Sequence, residues 1–81
     1  MRVTLWSRAG CGPCLALKAA LRAANVPYAE RSLDDATPGD IARWRAAGAL
    51  SAPIVEYPGD TFGGMLPDKV RTLIDKERAP R

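Results

Sequence analysis

Val3, Leu5 and the neighbouring Trp6 form a short apolar segment of β-branched and aromatic character that stops at Ala9-Gly10. This predicts a first strand over residues 2–6. From Gly12 to Ala24 the period changes. Cys14, Leu17, Leu21 and Ala24 fall on one face, with Lys18 and Arg22 away from it, in a stretch rich in strong helix formers. A helix is predicted there, with Asn25 suited to a left-handed C-cap and Pro27 preventing continuation. Residues 28–33 then alternate apolar and polar, as a half-buried strand does.

Thr37-Pro38-Gly39-Asp40 supplies a capping hydroxyl, a proline at the first helical position and a carboxylate three residues past the cap. The second helix is expected over about residues 38–47, with Ile41 and Trp44 as its buried stripe and Gly48 as terminator. After Ser51-Ala52-Pro53, residues 54–56 and 61–62 flank a Pro58-Gly59-Asp60 turn and predict a hairpin of two short strands. Pro67 begins a last helix, with Val70, Leu73 and Ile74 inward and Asp68 in the first turn. The tail from Glu77 onward is expected to fray.

The order βαβαββα gives an α/β chain. The βαβ unit requires parallel strands with a right-handed crossover, and the later hairpin is antiparallel within itself. A mixed four-stranded sheet flanked by three helices, some on each face, is the compact solution. The 81 residues make one domain, 1–81, since a chain of this length buries only a little over ~60% of its unfolded surface and supports one core. A composition 47% apolar and 26% charged, without low-complexity tracts, is that of a globular protein.

No apolar run approaches the ~18 residues of a membrane span, and the chain enters a strand pattern without a signal-peptide core, so a cytoplasmic location is expected. The net charge of +3 is spread along the chain with acids interleaved. Nucleic-acid binding requires a clustered basic face, usually with aromatic stacking partners, and neither is visible. The basic residues read as solvated helix faces, and nucleic acid and membrane are excluded as partners.

The only two cysteines, Cys11 and Cys14, close too short a loop to constrain the unfolded chain much, which points to chemistry rather than stapling. Cys11-Gly12-Pro13-Cys14 lies between a strand and the start of a helix, so Cys11 is expected at the helix N-terminus and Cys14 in its first turn. A thiolate there faces unsatisfied N–H groups and the positive end of the helix dipole; in such motifs the thiol pKa falls from ~8.5 to as low as ~3.5. Cys11 is the candidate nucleophile. Cys14, one turn on, is the candidate resolving thiol that attacks the mixed disulfide. Gly12 and Pro13 shape the loop, and Pro13 stiffens it.

Three readings compete for the pair: a redox dithiol, half of a metal site, or incidental core cysteines. With no histidine and no second cysteine pair, a closed tetrahedral zinc site would need two chains or carboxylates, so no metal is assigned. Position after a strand, opening a helix inside a βαβ pattern, favours the redox dithiol. Trp6, Trp44 and Phe62 read as packing residues. Pro53, opening a short strand, reads from its surroundings alone as an ordinary edge-strand proline.

Cys11-Gly12-Pro13-Cys14, Ala52-Pro53-Ile54-Val55 and Gly63-Gly64-Met65-Leu66-Pro67-Asp68 together resemble the glutaredoxin-like family, most closely its NrdH-redoxin branch, over about residues 2–75. The resemblance implies a thioredoxin-like fold and a cis peptide before Pro53. It also implies an Ala52 backbone presented for strand-like pairing with substrate, around which Arg8, Gly63, Gly64, Met65 and Asp68 form the docking surface. The activity implied is dithiol-disulfide oxidoreduction by a monomer without a bound cofactor. Electrons come from NADPH through thioredoxin reductase, and the client is class Ib ribonucleotide reductase or another disulfide protein. Where the branch carries Phe-Arg before Pro-Asp, this chain has Met65 and Leu66.

The alternative is a glutathione-dependent glutaredoxin, in which Arg8 and Asp68 hold glutathione. The alanine before Pro53, where glutaredoxins have valine, favours the NrdH side. A further rival is an iron–sulfur or metal carrier in which two chains share four thiolates. Thioredoxins also use this cysteine motif, but carry a tryptophan just before it and a buried acid six residues before the first cysteine. Gly10 and Leu5 stand there.

Overall fold

The computed structural model describes residues 2–78. Its elements run β1 (Val3–Ser7), α1 (Gly12–Ala23), β2 (Tyr28–Ser32), a 3-10 turn (Leu33–Asp35), α2 (Pro38–Ala46), β3 (Ile54–Tyr57), β4 (Asp60–Gly63) and α3 (Pro67–Arg78). The four strands form one mixed sheet in the order β2-β1-β3-β4. β1 pairs parallel to β2, from Val3 opposite Tyr28 to Ser7 opposite Ser32, while β1–β3 and β3–β4 are antiparallel. The mixed four-stranded sheet is the one the element order called for, and its arrangement is the thioredoxin-like one that the resemblance implied.

Alternation along the strands sends residues to two cores. Val3, Leu5, Val55, Tyr57 and Phe62 pack with Leu17 and Leu21 of α1 and Val70 and Leu73 of α3. On the opposite face Trp6 and Ile54 pack with Trp44 of α2 and Ala49. Leu17 is fully buried, and truncating such a residue to alanine costs about 2–5 kcal/mol. In the second core the Trp6 and Trp44 rings meet edge to face, with centroids 5.0 Å apart, a geometry contributing about 0.5–1.5 kcal/mol beyond its buried area.

Both ends of α1 and α2 are set by local sequence. Asn25 has φ 58°, and Val26 N donates to Leu21 O at 2.9 Å while Asn25 N donates to Arg22 O at 3.0 Å, the paired closure of a Schellman motif. α2 closes the same way, Ala49 N to Trp44 O at 2.9 Å and Gly48 N to Arg45 O at 3.0 Å. Its start is a full capping box: Asp40 N donates to Thr37 Oγ1 at 3.1 Å, and Thr37 N to Asp40 Oδ2 at 2.9 Å.

Four expectations need correction. β1 continues through Ser7 because Ser7 still has a partner in Ser32. β2 stops at Ser32, whose hydroxyl accepts the Asp34 N–H at 3.1 Å and turns the chain into the 3-10 turn at Leu33. Ile41 is not buried: α2 packs through Trp44 alone, leaving Ile41 42% exposed. α3 continues through Arg78 instead of fraying at Glu77, since Arg2 Nε, at the head of β1, reaches Glu77 Oε1 at 3.2 Å. The rest of the expected tail, 79–81, lies outside the described residues.

Candidate active site at the start of α1

β1 leads through the turn at Ala9-Gly10 to Cys11, which is the N-cap of α1, with φ −95° and ψ 105°. Cys11 and Cys14 are joined in a disulfide, with their Cα atoms 5.2 Å apart, inside the range a disulfide spans. The Cys14 N–H donates to Cys11 Sγ at 3.2 Å. A sulfur thus takes the place that a serine or aspartate oxygen takes in an ordinary cap. Pro13, in the first turn, has no N–H to satisfy, and the first turn carries no acidic residue. The positive end of the α1 dipole therefore faces the Cys11 sulfur without a competing carboxylate.

Cys11 is 8% exposed and Cys14 2%. Gly12 and Pro13 lie outside them, exposed. An approaching disulfide reaches the Cys11 side first.

The Ala52–Pro53 peptide is cis. Gly63 and Gly64 fix the loop that carries it. A Cβ on Gly63 would stand 2.7 Å from Ser51 O and 3.0 Å from Ser51 N, so this position admits no side chain without moving the 50–51 backbone. Gly64 has φ +86° and donates its N–H to Pro53 O at 2.8 Å, a backbone conformation that favours glycine. The pair works as a buttress behind Ala52-Pro53. Met65, half-buried, packs against the larger core. Asp68 opens α3 with its side chain 96% exposed, 3.7 Å from Arg71, and lines neither groove described below.

Arg8 stands between two grooves. One, of about 340 Å³, is lined by Arg8, Ile41, Trp44, Arg45, Leu50 and Ala52 among others. The second, of about 450 Å³, contains Ser7, Lys18, Glu30 and Arg31. In it the buried Ser7 hydroxyl donates to Glu30 Oε2 at 2.6 Å and Lys18 Nζ to the same oxygen at 3.0 Å. The Ser7 hydrogen bond first, and Lys18 second, hold the Glu30 carboxyl below its ordinary range.

Glu56 ties α2 to the sheet on the face of the first groove. Its carboxylate accepts Arg43 Nε at 2.8 Å and Trp6 Nε1 at 3.0 Å, and Arg43 reaches back to Asp40 at 3.0 Å. Arg43 is the main cause of the lowered Glu56 pKa, with Trp6 adding to it. Among the described residues the buried Trp44 Nε1 has no hydrogen-bond partner, and Trp44 makes a smaller contribution to the lowered Glu56 pKa. Arg31 stacks over the Trp6 ring with its guanidinium carbon 4.4 Å from the centroid.

Of the residues singled out in the sequence, Arg8 and Ala52 share a groove, Gly63 and Gly64 stand behind Ala52-Pro53, and Asp68 joins neither groove. Sequence reasoning missed Arg45, Leu50 and Glu56. Arg45 is four residues after Ile41 and so shares its helix face, and Leu50 is a large apolar residue just before the Ser51-Ala52-Pro53 loop.

A thioredoxin-like fold with a cysteine pair at the head of its first helix and a cis-proline just before β3 defines the class of dithiol-disulfide oxidoreductases. The sequence model of the glutaredoxin family matches residues 3–57, and the chain belongs to that family. Among solved structures the chain is similar to the glutaredoxin-like NrdH-redoxin of Escherichia coli, a protein described by its thioredoxin-like activity profile. The two share 28% identity at a TM-score of 0.78, over 99% of this chain and 100% of that one. A buckwheat glutaredoxin solved with glutathione shares 24% identity at a TM-score of 0.67, over 90% of this chain and 71% of that one. The Archaeoglobus fulgidus glutaredoxin shares 18% at 0.69, over 90% and 85%. These two likenesses are of fold. No curated protein sequence matches the chain significantly. Among the described residues, no helix is long and apolar enough to cross a membrane.

Proposed function

We propose that this redoxin is an NrdH-type electron donor: Cys11 attacks, Cys14 resolves, thioredoxin reductase re-reduces the pair with electrons from NADPH, and the client is a ribonucleotide reductase or another disulfide protein of the cytoplasm. The carrying observation is the Cys11 sulfur capping α1, with Cys14 buried one turn behind it. The Cys11 thiolate attacks one sulfur of the client disulfide, the other client sulfur leaves and takes up a proton, and a mixed disulfide forms. Cys14, after losing its proton, attacks Cys11 Sγ and expels the second client thiol. The client gains two electrons and two protons; the redoxin ends with Cys11 and Cys14 joined. Ala52 offers backbone to the client, with Gly63 and Gly64 holding its loop.

The likeness to NrdH-redoxin over nearly the full length of both chains supports thioredoxin reductase as electron source. A glutathione-dependent reading draws on Arg8 beside Ala52 and on the glutathione-bound buckwheat relative. It is weakened by Asp68, whose carboxylate stands in solvent outside that groove. The test is NADPH consumption with a disulfide substrate, comparing thioredoxin reductase with glutathione plus glutathione reductase. Turnover with thioredoxin reductase alone is expected. Turnover with the glutathione system alone would replace this reading with a glutathione-dependent one.

A further inference from the structure

Beneath the first turns of α1 lies a polar network that the exchange chemistry does not use. Val3 and Leu5 face the core that α1 covers, and Ser7, next in the same alternation, is a buried polar residue at the end of the row. Its one hydroxyl proton goes to Glu30 Oε2, 2.6 Å away on β2. The same carboxylate oxygen accepts Lys18 Nζ from α1 at 3.0 Å. Two strands and a helix therefore converge on one anion.

Lys18 stands one turn past Cys14, and helical side chains lean back towards the N-terminus, so its half-buried stem runs towards the thiol pair. The field there is otherwise positive. The α1 dipole points its positive end at Cys11, no acid stands in the first turn, and Arg8 and Arg31 line the groove with Lys18. Arg22, a turn beyond Lys18, adds a further cation that Glu30 feels. Among the residues that line the groove, Glu30 is the one acid.

A positive field favours thiolate, hence the reduced state, and a couple whose reduced form is strongly stabilised accepts electrons better than it donates them. We infer that Glu30 is a positioning residue for the redox couple: fixed by Ser7, its carboxylate offsets Lys18 and keeps Cys11 and Cys14 reducing. The inference rests on the dithiol reading of the pair and adds what sets its reducing power. The two charges act in opposite directions. Without Glu30, Lys18 stabilises the thiolate unopposed; without Lys18, Glu30 disfavours it. A network that only braced α1 against β2 would show no such opposition, because either removal breaks the same bond.

The test measures the reduced fraction of the full chain in dithiothreitol buffers of fixed redox ratio at low salt, with thiols trapped by iodoacetamide and counted by mass. In each exchange dithiothreitol gives up two electrons and two protons and closes its own disulfide, while the Cys11–Cys14 bond opens into two thiols. Glu30→Gln keeps an oxygen for Ser7 and removes the charge. It is expected to shift the equilibrium about three- to tenfold towards the dithiol, tenfold being about 30 mV. Lys18→Met keeps the apolar stem and should shift it the other way by a similar factor. The double variant should return to within about twofold of the native chain. Lys69→Gln breaks an ion pair of the same kind with Asp60, which stands opposite Tyr57 at the far end of β3 from the cis-proline, and should leave the equilibrium unchanged.

Shifts of the same sign in Glu30→Gln and Lys18→Met, or no shift in Glu30→Gln, would overturn the inference while leaving the dithiol chemistry standing. A native Cys11–Cys14 pair that does not exchange with dithiothreitol would sink the dithiol reading and this inference together.

Discussion

Helices α1 and α2 both open with a proline in the first turn, yet their caps are made of different chemistry. α2 starts with a hydroxyl and a carboxylate that exchange hydrogen bonds, and Asp40 sits against the positive end of the dipole. α1 starts with a sulfur that accepts one N–H, and it has no acid in its first turn. An oxygen cap uses the free N–H groups for stability. A sulfur cap leaves the same field available to a thiolate, so the weaker cap is the reactive one. The contrast teaches that the first turn of α1 is shaped for chemistry at some expense in local stability, which α1 recovers by burying Leu17 and Leu21.

The comparison breaks most completely with Cys11→Ser, which turns the α1 cap into the ordinary oxygen kind. Disulfide reduction is expected to fall to background while the circular dichroism of the fold persists. Retained turnover would place the attack elsewhere. Gly12→Asp is milder. A Cβ at Gly12 meets nothing within 4 Å, so the carboxylate enters the first turn without a clash. Competing for the dipole, it should slow alkylation of the reduced protein by iodoacetamide near pH 6 by about three- to tenfold. An unchanged rate would mean that the dipole does not activate Cys11.

Thr37→Ala makes the converse change at α2 and should cost about 1 kcal/mol in denaturant unfolding of the oxidised chain, with redox turnover unaltered. The smallest effect is expected from acid. Asp40, lowered by the Thr37 N–H and Arg43, and Glu56, lowered by Arg43 and Trp6, have folded pKa values below the usual 3.8 and 4.5. Their contribution is complete above those values and disappears as pH falls through the folded ones. Hydrogen exchange in oxidised protein, corrected for the intrinsic rate, should show α2 losing protection below about pH 4 ahead of α1. Simultaneous loss would show that Glu56 and Asp40 do not anchor α2 separately.

Much of this contrast was legible in the chain. Thr37, Pro38 and Asp40 spell a capping box in order, and Cys11 and Cys14 announce themselves by their place after a strand. Asn25 and Pro27 mark the end of α1 for the same reason: the signals are local and each has a steric or hydrogen-bonding cause. What stayed hidden depends on distant partners. Glu56 reads as one more strand acid until Arg43 and Trp6 converge on it from α2 and β1. Glu77 reads as tail until Arg2 is beside it. Gly63 reads as part of a docking surface, and only the backbone of Ser51 against it shows a buttress. Ile41 follows a helical stripe by spacing, but it faces a groove while Trp44 alone packs on the sheet. The cis peptide before Pro53 followed from family resemblance, since the surrounding residues alone favoured an ordinary proline.

The central claim is the order of attack, and mixed-disulfide trapping tests it most directly. Cys14→Ser protein, reduced and then exposed to a disulfide substrate, is expected to accumulate a covalent adduct whose mass and peptide map place the substrate on Cys11. Cys11→Ser protein, with its remaining thiol buried, should accumulate none over the same time. An adduct that forms readily on Cys14, or a Cys14→Ser protein that traps nothing, would contradict the account.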